Sequence, residues 1–371
     1  RQIGGLRNVN ADFILAIGEL GKEKGIDPEL LFQAVEEALV TAYKKNFGSN
    51  QNVRVDMNKV TGELHIYAQR HIVAEVGDDP NEISLEEARK IDPRYEVDDI
   101  VETEVTPRNF GRIAAQNAKQ VVVQRIREAE RGMVFEKFSS RENDIVTGII
   151  QRMENKNVYI DLGKAEAILT PNEQIPGEIY QYHDRMKTYI VEVKKTSKGP
   201  QIMVSRTHPG LLKRLFELEV PEIHDGLVEI KSVAREPGMR SKISVYTKDE
   251  NIDPVGACVG HKGMRVQTIV NELRGEKIDI VKYSSEPDQY VANALSPAKV
   301  VSTEVLEEEK ICRVIVPDYQ LSLAIGKEGQ NARLAAKLTG WKIDIKSESQ
   351  AAEEAEQGAQ EVGVAYEADE D

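Results

Sequence analysis

An internal duplication constrains the fold of this chain more than any other feature. Two segments of the form Gly-x-x-Gly, residues 260–263 and 326–329, lie about 66 positions apart in closely matching surroundings. Each follows an apolar stretch, precedes a helical pattern and leads to the same closing phrase, Gly-x-Lys-Ile-Asp-Ile. A repeat of about 65 residues is too long for a solenoid unit, so it indicates two copies of a small domain.

We call these segments the first GxxG loop (residues 260–263) and the second GxxG loop (residues 326–329). An apolar stripe at helical spacing follows the first loop at Val266, Ile269 and Leu273, and a matching stripe follows the second. A helix N-terminus at the loop presents backbone N–H groups that favour an anion such as phosphate. Glycines allow a ligand to approach because they carry no Cβ. The alternative, a tight turn without a ligand, is less favoured when two copies match.

The flanking patterns predict the order helix, strand, strand, helix, GxxG loop, helix, strand in both copies. This order resembles the bacterial form of the KH domain, whose GxxG loop clamps a nucleic-acid backbone. The resemblance implies a three-stranded sheet with helices on one face, and a weaker phosphate contact in the second loop because Glu328 lies there. The candidate RNA-binding residues in the two copies are Gly260, His261, Lys262, Gly263, Arg265, Gly326, Lys327, Glu328, Gly329 and Arg333.

Residues 144–207 predict a small all-β domain. Five short segments alternate apolar and polar residues and are separated by turn residues, which indicates an OB-type barrel. The phrases Val-Thr-Gly-Ile-Ile from Val146 and Ile-Asp-Leu-Gly from Ile160 resemble the S1-type RNA-binding barrel. Aromatic rings can stack on bases, and cationic side chains can bind phosphates. For each tyrosine, the alternative is a buried position inside the barrel. The candidate RNA-binding residues here are Tyr159, Arg185, Lys187 and Tyr189.

The first 140 or so residues predict an α/β unit, which we call the head. Asp27 and Pro28 form a helix start, and an apolar stripe follows them. Strands are predicted at residues 53–57, 63–68 and 72–76, and a second long helix at residues 110–129. The sequence contains no nucleotide-binding glycine loop and no catalytic or metal-binding motif, so we expect neither an enzyme nor a cofactor or metal site.

The order of these parts is distinctive: an α/β head, an S1-like barrel, two KH-like modules and an acidic C-terminal segment. Together with the phrase Phe-Gly-Arg-Ile-Ala-Ala-Gln from Phe110, it resembles the NusA family of bacterial transcription elongation and termination factors. The resemblance covers residues 10–346. It implies that the head binds RNA polymerase near the RNA exit channel and that the S1 and KH parts hold emerging single-stranded RNA. The implied outcome is enhanced pausing, termination, or antitermination together with other factors.

We therefore expect a multidomain α+β protein that acts as a monomer in the cytoplasm, without a membrane segment. The expected domains are the polymerase-binding head (10–138), the S1-type OB barrel (144–207), the first KH domain (208–283), the second KH domain (284–347) and a disordered acidic tail (348–371).

The net charge of −14 argues at first against a nucleic-acid partner. Its distribution changes that conclusion, because residues 347–371 hold nine acidic and no basic residues. Residues 145–346 hold 29 basic and 28 acidic residues, so local patches rather than net charge must bind phosphate. The two cysteines, Cys258 and Cys312, each lie in an apolar segment and are expected to be buried thiols.

Two other classes of protein combine similar modules. Polynucleotide phosphorylase carries KH and S1 modules in the opposite order and needs a large catalytic core, which this sequence lacks. A KH-bearing GTPase needs a phosphate-binding GxxxxGK[ST] loop, which is also lacking. A ribosome-associated structural protein of KH type remains as the alternative function, although such proteins are usually basic.

Overall fold

The structure is a computed structural model that describes residues 11–47, 50–78, 80–107 and 109–354. Its contacts divide the chain into two units, Arg1–Val134 and Phe135–Asp371. Within the described ranges, every helix is too short or too polar to serve as a membrane-spanning segment.

The first unit combines helices with a four-stranded sheet. Its elements are α1 (Ala11–Lys24), α2 (Pro28–Phe47), β1 (Asn52–Met57), β2 (Leu64–Val73), β3 (Glu82–Ser84), α3 (Leu85–Ile91), β4 (Ile100–Glu104) and α4 (Phe110–Ser139), the last of which continues past the unit boundary. β2 pairs antiparallel with β1 and β4 and parallel with β3. The apolar stripe of α2 forms the core with β1, β2 and the first half of α4.

Two sequence predictions for this unit were wrong in detail, and two of its helices were not predicted. Residues 63–68 and 72–76 were predicted as two strands but form the single strand β2, because its intervening polar residues lie in the ladder with β4. The helix predicted to end at residue 129 continues to Ser139. Helices α1 and α3 were not predicted; α3 is only seven residues long, and Ser84 caps its N-terminus.

The second unit begins with a closed five-stranded barrel. Its strands are β5 (Ile145–Glu154), β6 (Asn157–Asp161), β7 (Glu166–Leu169), β8 (Arg185–Thr196) and β9 (Gly199–Ser205). They close in the order β5-β6-β7-β9-β8, with β7 and β9 parallel and the other neighbours antiparallel. Ile150, Ile160 and Ile190 point inward and are fully buried, which agrees with the predicted alternation.

Two modules with the same order of elements follow the barrel. The first repeat module contains α5 (Pro209–Glu219), α6 (Pro221–His224), β10 (Glu229–Glu236), β11 (Arg240–Tyr246), α7 (Pro254–Val259), α8 (Met264–Glu272) and β12 (Lys277–Lys282). The second repeat module contains α9 (Pro287–Ala294), β13 (Ser302–Leu306), β14 (Ile311–Val316), α10 (Leu321–Ile325), α11 (Gln330–Thr339) and β15 (Lys342–Ser347). Each sheet joins an antiparallel pair to a parallel third strand. The predicted three-stranded architecture is therefore confirmed.

The barrel and the two repeat modules share their hydrophobic cores. Ile145 and Tyr189 of the barrel belong to the core of the first repeat module. Ala234 and Val281 of the first repeat module belong to the core of the second. Removing one of these three parts would therefore expose apolar side chains of its neighbour, so the three parts form one body.

The C-terminal segment differs from its prediction where it can be described. Residues 348–354 are helical rather than disordered. Asp318 accepts hydrogen bonds from the backbone N–H and the hydroxyl of Ser349, and Lys346 pairs with Glu354. These contacts hold the first helical turns beside β15. The rest of the predicted tail, residues 355–371, lies outside the described residues.

Candidate nucleic-acid interface

The first GxxG loop connects α7 to α8 through a turn that has a glycine with positive φ at each end. Gly260 has φ 73° and ψ 177°, a combination that residues with a Cβ essentially never adopt. Gly263 is left-handed at φ 77° and precedes the first residue of α8. Between them, His261 and Lys262 are exposed. Two side chains able to carry positive charge therefore lie where the helix N-terminus already favours an anion.

The second GxxG loop repeats this backbone. Gly326 has φ 77° and ψ 171°, and Gly329 has φ 72°. Glu328 has φ 52°, the same value as Lys262 in the first loop. Two loops with different inner residues thus adopt the same conformation, which shows that the glycine spacing sets it. Lys327 and Glu328 are both exposed, so the negative charge of Glu328 offsets the positive charge of Lys327. The first loop has no acidic residue between its glycines.

Arg265 has a structural role in the first repeat module. Its guanidinium pairs with Glu222 at 2.9 Å and donates a hydrogen bond of 2.7 Å to the carbonyl of Ala257. Asn331 occupies the equivalent position in the second module and donates to the carbonyls of Ala324 and Leu295. Both side chains fasten the helix before the loop to the helix after it. Arg265 therefore has structural partners within its own module, and its role as an RNA ligand stays a prediction.

Arg333 is likewise engaged by protein groups. Its Nε lies 2.6 Å from a carboxylate oxygen of Glu236, and its Nη1 donates to the carbonyl of Glu328 at 3.1 Å. Glu236 belongs to the first repeat module, so this candidate RNA ligand lies at the junction between the modules. Arg333 is among the candidate RNA-binding residues predicted from the sequence. Its acidic partner is 97 residues away along the chain.

Tyr189 is a core residue, which corrects the prediction that it stacks on bases. Only 6% of it is exposed. Its ring stacks on His208 at a centroid distance of 4.5 Å, and its hydroxyl donates to Asn143. Burial raises the pKa of Tyr189 and lowers the pKa of His208. The alternation of β8 allowed either face, and only the packing of the first repeat module against the barrel decides which one is buried.

The other candidate RNA-binding residues of the barrel differ in how accessible their side chains are to a ligand. Lys187 donates through its backbone N–H and its Nζ to Glu272 of α8, so it joins the barrel to the first repeat module. Tyr159 is half-buried, and the guanidinium of Arg152 covers one ring face at 3.9 Å. Arg185 is exposed at the start of β8. Tyr182, which precedes that strand, is 61% exposed and offers a more accessible ring than Tyr159 or Tyr189.

Ion pairs between the barrel and the first repeat module were missed by the sequence analysis. Arg206, fully buried, pairs with Glu178 and donates to the carbonyl of Lys187 within the barrel domain, and it reaches Glu272 of α8 through an ion pair at 3.6 Å and a hydrogen bond to the Glu272 carbonyl. Arg274 pairs with Asp184 at 2.9 Å. The partners lie between 19 and 90 residues apart, so no local pattern identifies them. They hold the C-terminal end of α8 on the barrel while its N-terminal end carries the first GxxG loop.

Two GxxG loops on tandem modules and a closed OB-type barrel, joined in one body, define a multidomain protein of the RNA-binding KH and S1 class. Family models agree along nearly the whole chain: the NusA N-terminal domain matches residues 12–132, and the S1 RNA binding domain matches residues 139–205. The NusA-like first and second KH domains match residues 206–283 and 287–353. The chain belongs to the NusA family.

Curated relatives share most of the chain. A protein of Halalkalibacterium halodurans named transcription termination/antitermination protein NusA is 65% identical over 93% of this chain and 90% of its own length. The protein of the same name in Bacillus subtilis is 64% identical over 93% of both chains. The solution structure of the N-terminal domain of NusA from B. subtilis is 55% identical, covers 33% of this chain and 98% of its own, and has a TM-score of 0.30.

Proposed function

We propose that this chain is a non-enzymatic transcription factor that binds RNA polymerase through its head and nascent RNA through its barrel and repeat modules. The relatives named above are transcription termination/antitermination proteins, and this name supports the transcriptional role. In the proposed role the protein modulates pausing, termination and antitermination. It acts as a monomer in the bacterial cytoplasm, together with other elongation or antitermination factors and without a cofactor.

The matching backbone of the two GxxG loops is the observation that carries the RNA-binding part of this proposal. Each loop opens onto the N-terminus of an amphipathic helix, α8 or α11, and exposes its two inner side chains. The geometry suits a phosphate of an extended single strand, because the glycines admit the nucleic-acid backbone and the helix N-terminus attracts its charge. We propose that the loops act as consecutive clamps, with the stronger contact at His261 and Lys262.

Aspartate substitutions in the loops test this proposal. Replacing His261 and Lys262, or Lys327 and Glu328, with Asp keeps both glycines and puts negative charge where phosphates would bind. Asp tolerates the left-handed conformation of Lys262 and Glu328, so the fold is expected to survive. Affinity for an unstructured RNA of about 10–12 nucleotides should fall, and the salt slope should decrease by about 1 per lost contact.

Lys310→Asp is the matched control for these variants. Lys310 has the same φ of 52° and is exposed, and its carbonyl accepts a hydrogen bond from Lys342, just beyond the C-terminal end of α11. It therefore receives the same change of charge as the second-loop variant, at the end of the module away from the loop. Circular dichroism checks folding. If both folded double variants bind RNA as tightly as the parent and the control, the loops are only turns.

The alternative function, a structural protein of the ribosome, makes a different prediction about partners. The chain should co-purify with RNA polymerase if the proposed function holds and with ribosomal subunits if the alternative holds. A pull-down from a bacterial lysate treated with nuclease, so that RNA does not bridge the partners, separates the two.

A further inference from the structure

A carboxylate of the first repeat module contacts the helix that carries the second GxxG loop. Glu236, the last residue of β10, accepts hydrogen bonds from Nε of Arg333 at 2.6 Å and from Nε2 of Gln330 at 2.8 Å. Gln330 directly follows Gly329, and Arg333 lies in the first turn of α11. The Glu236 side chain is 16% exposed. The hydrogen bond from Arg333 holds its pKa below the usual value, so the carboxylate is ionised at neutral pH.

The same arginine also holds the backbone of the loop. Nη1 of Arg333 donates to the carbonyl of Glu328 at 3.1 Å. Glu328 is left-handed, a conformation that is unfavourable for a residue with a Cβ and persists only when its surroundings enforce it. A continuous series of contacts thus runs from Glu236 through Arg333 to the centre of the second loop.

The first loop is supported in another way. Met264 and Gln267 occupy the positions that correspond to Gln330 and Arg333; Met264 is 66% exposed, and Gln267 donates to Asn271 within α8. The first loop is instead fastened by Arg265 to Glu222 in its own module. The contact from the preceding module is therefore specific to the second loop and is not a general feature of this fold.

We propose that Glu236 is a positioning residue for RNA, which holds the second GxxG loop at a fixed place relative to the first repeat module. This inference rests on the proposed function. It identifies the contact that fixes the distance between the two RNA-binding loops. The modules stay together without Glu236, because Tyr290 packs with Ala234 and Val281 and donates a hydrogen bond to Ser244 at 2.8 Å. Glu236 instead fixes the position and the backbone conformation of the second GxxG loop.

The direction of the change in RNA affinity distinguishes a positioning role of Glu236 from an effect of its charge alone. A carboxylate near a phosphate site repels RNA, so deleting it should strengthen RNA binding if its charge is all that matters. If Glu236 positions the loop, deleting it should weaken binding of an RNA that reaches both loops. An RNA that reaches only one loop should be little affected, because it binds chiefly at the first loop, which Glu236 does not contact, and gains nothing from the spacing between the clamps.

The experiment compares Glu236→Ala and Glu236→Gln with the parent in the full chain, using unstructured RNAs of about 5 and about 12 nucleotides. We expect Glu236→Ala to lose about fivefold in affinity for the long RNA and less than twofold for the short one, as for one ion pair. Glu236→Gln keeps acceptor oxygen for Arg333 and should recover part of the loss. Hydrogen exchange of residues 327–330 without RNA should be faster in Glu236→Ala.

Glu304→Ala is the control for the loss of one negative charge, because Glu304 forms a longer and more exposed ion pair with Arg313, at 3.4 Å, within the sheet of the second repeat module. It should leave both affinities unchanged. If Glu236→Ala binds the long RNA as tightly as the parent or more tightly, the inference is overturned. If the parent shows no preference for the long RNA, or the aspartate variants of the loops bind normally, the proposed tandem clamp fails instead.

Discussion

Alanine is a better helix former than glycine, but Gly210 is a helical position where we expect alanine to destabilise the protein. It lies in α5, where a Cβ would approach the ring of Tyr189 to 2.5 Å. Gly132 lies inside α4, and a Cβ there would meet nothing within 4 Å. Gly132→Ala should stabilise the protein by about 0.5–1 kcal/mol, because alanine is the better helix former.

Gly210→Ala should instead destabilise the second unit by about 1–3 kcal/mol, because the ring is confined between the barrel and the first repeat module. Thermal unfolding of the two variants beside the parent measures both effects. A stabilising Gly210→Ala would show that Tyr189 has room to move and that its assignment to the core is wrong.

Glu276 is a buried carboxylate whose protonation is linked to stability. Arg235 binds it in a bidentate arrangement at 2.8 and 2.9 Å, and Ser241 and the backbone N–H of Gly238 also donate to it. Burial alone would raise the pKa of Glu276, but the hydrogen bonds and the charge of Arg235 outweigh it, so the pKa lies below its usual value of 4.5. A lowered folded-state pKa contributes stability above about pH 4.5 that is lost as the pH falls further.

Glu276→Gln should destabilise the protein at pH 7 by about 3–5 kcal/mol, because it leaves the buried Arg235 without its counter-charge. The variant should also lose less stability than the parent between pH 5 and the acid range. Chemical denaturation at several pH values tests both points. An unchanged acid dependence would mean that Glu276 is not among the groups that titrate on unfolding.

At the scale of elements, the turn between two helices is determined by the glycine positions within each loop. A Cβ on Gly326 would lie 2.8 Å from the backbone nitrogen of Asn331, whereas a Cβ on Gly329 would meet only one atom of Arg333, at 4.0 Å. Both positions have positive φ, but only Gly326 also combines it with an extended ψ of 171°. The two glycines are therefore not equivalent.

Gly329→Ala should lower the free energy of unfolding by about 1–2 kcal/mol, because alanine is unfavourable in the left-handed conformation. Gly326→Ala should lower it further. Gly329→Asn should be nearly neutral, because asparagine tolerates that conformation. Unfolding of the three variants ranks them. Equal costs for both alanine substitutions would contradict the difference in crowding that the structure assigns to the loop ends.

At the scale of the whole molecule, the head has a core of its own, formed by α1, α2, α4 and the sheet. A fragment of residues 10–138 should therefore fold, and under the proposed function it should bind RNA polymerase and leave free RNA unbound. Circular dichroism, a polymerase pull-down and an RNA-binding assay test these points. The assignment of the head fails if this fragment does not bind polymerase while residues 145–346 bind it at full strength.

The sequence was sufficient for the order of the parts and for the position of both loops. Alternation of apolar residues identified all five barrel strands, and helical spacing after each loop identified α8 and α11, because these patterns are local and depend on one buried face. It was less successful with short or polar elements such as α3 and β4, whose burial comes from distant residues.

What the sequence determined by itself is the local backbone: two glycine-bounded loops, each at the start of an amphipathic helix. What only the tertiary structure decided is the use of the side chains around them. Tyr189 is buried, Arg265 is paired with Glu222, and Arg333 is paired with Glu236. The physical reason is that a loop conformation follows from dihedral preferences within four residues, whereas an ion pair or a buried ring depends on groups that only folding brings together.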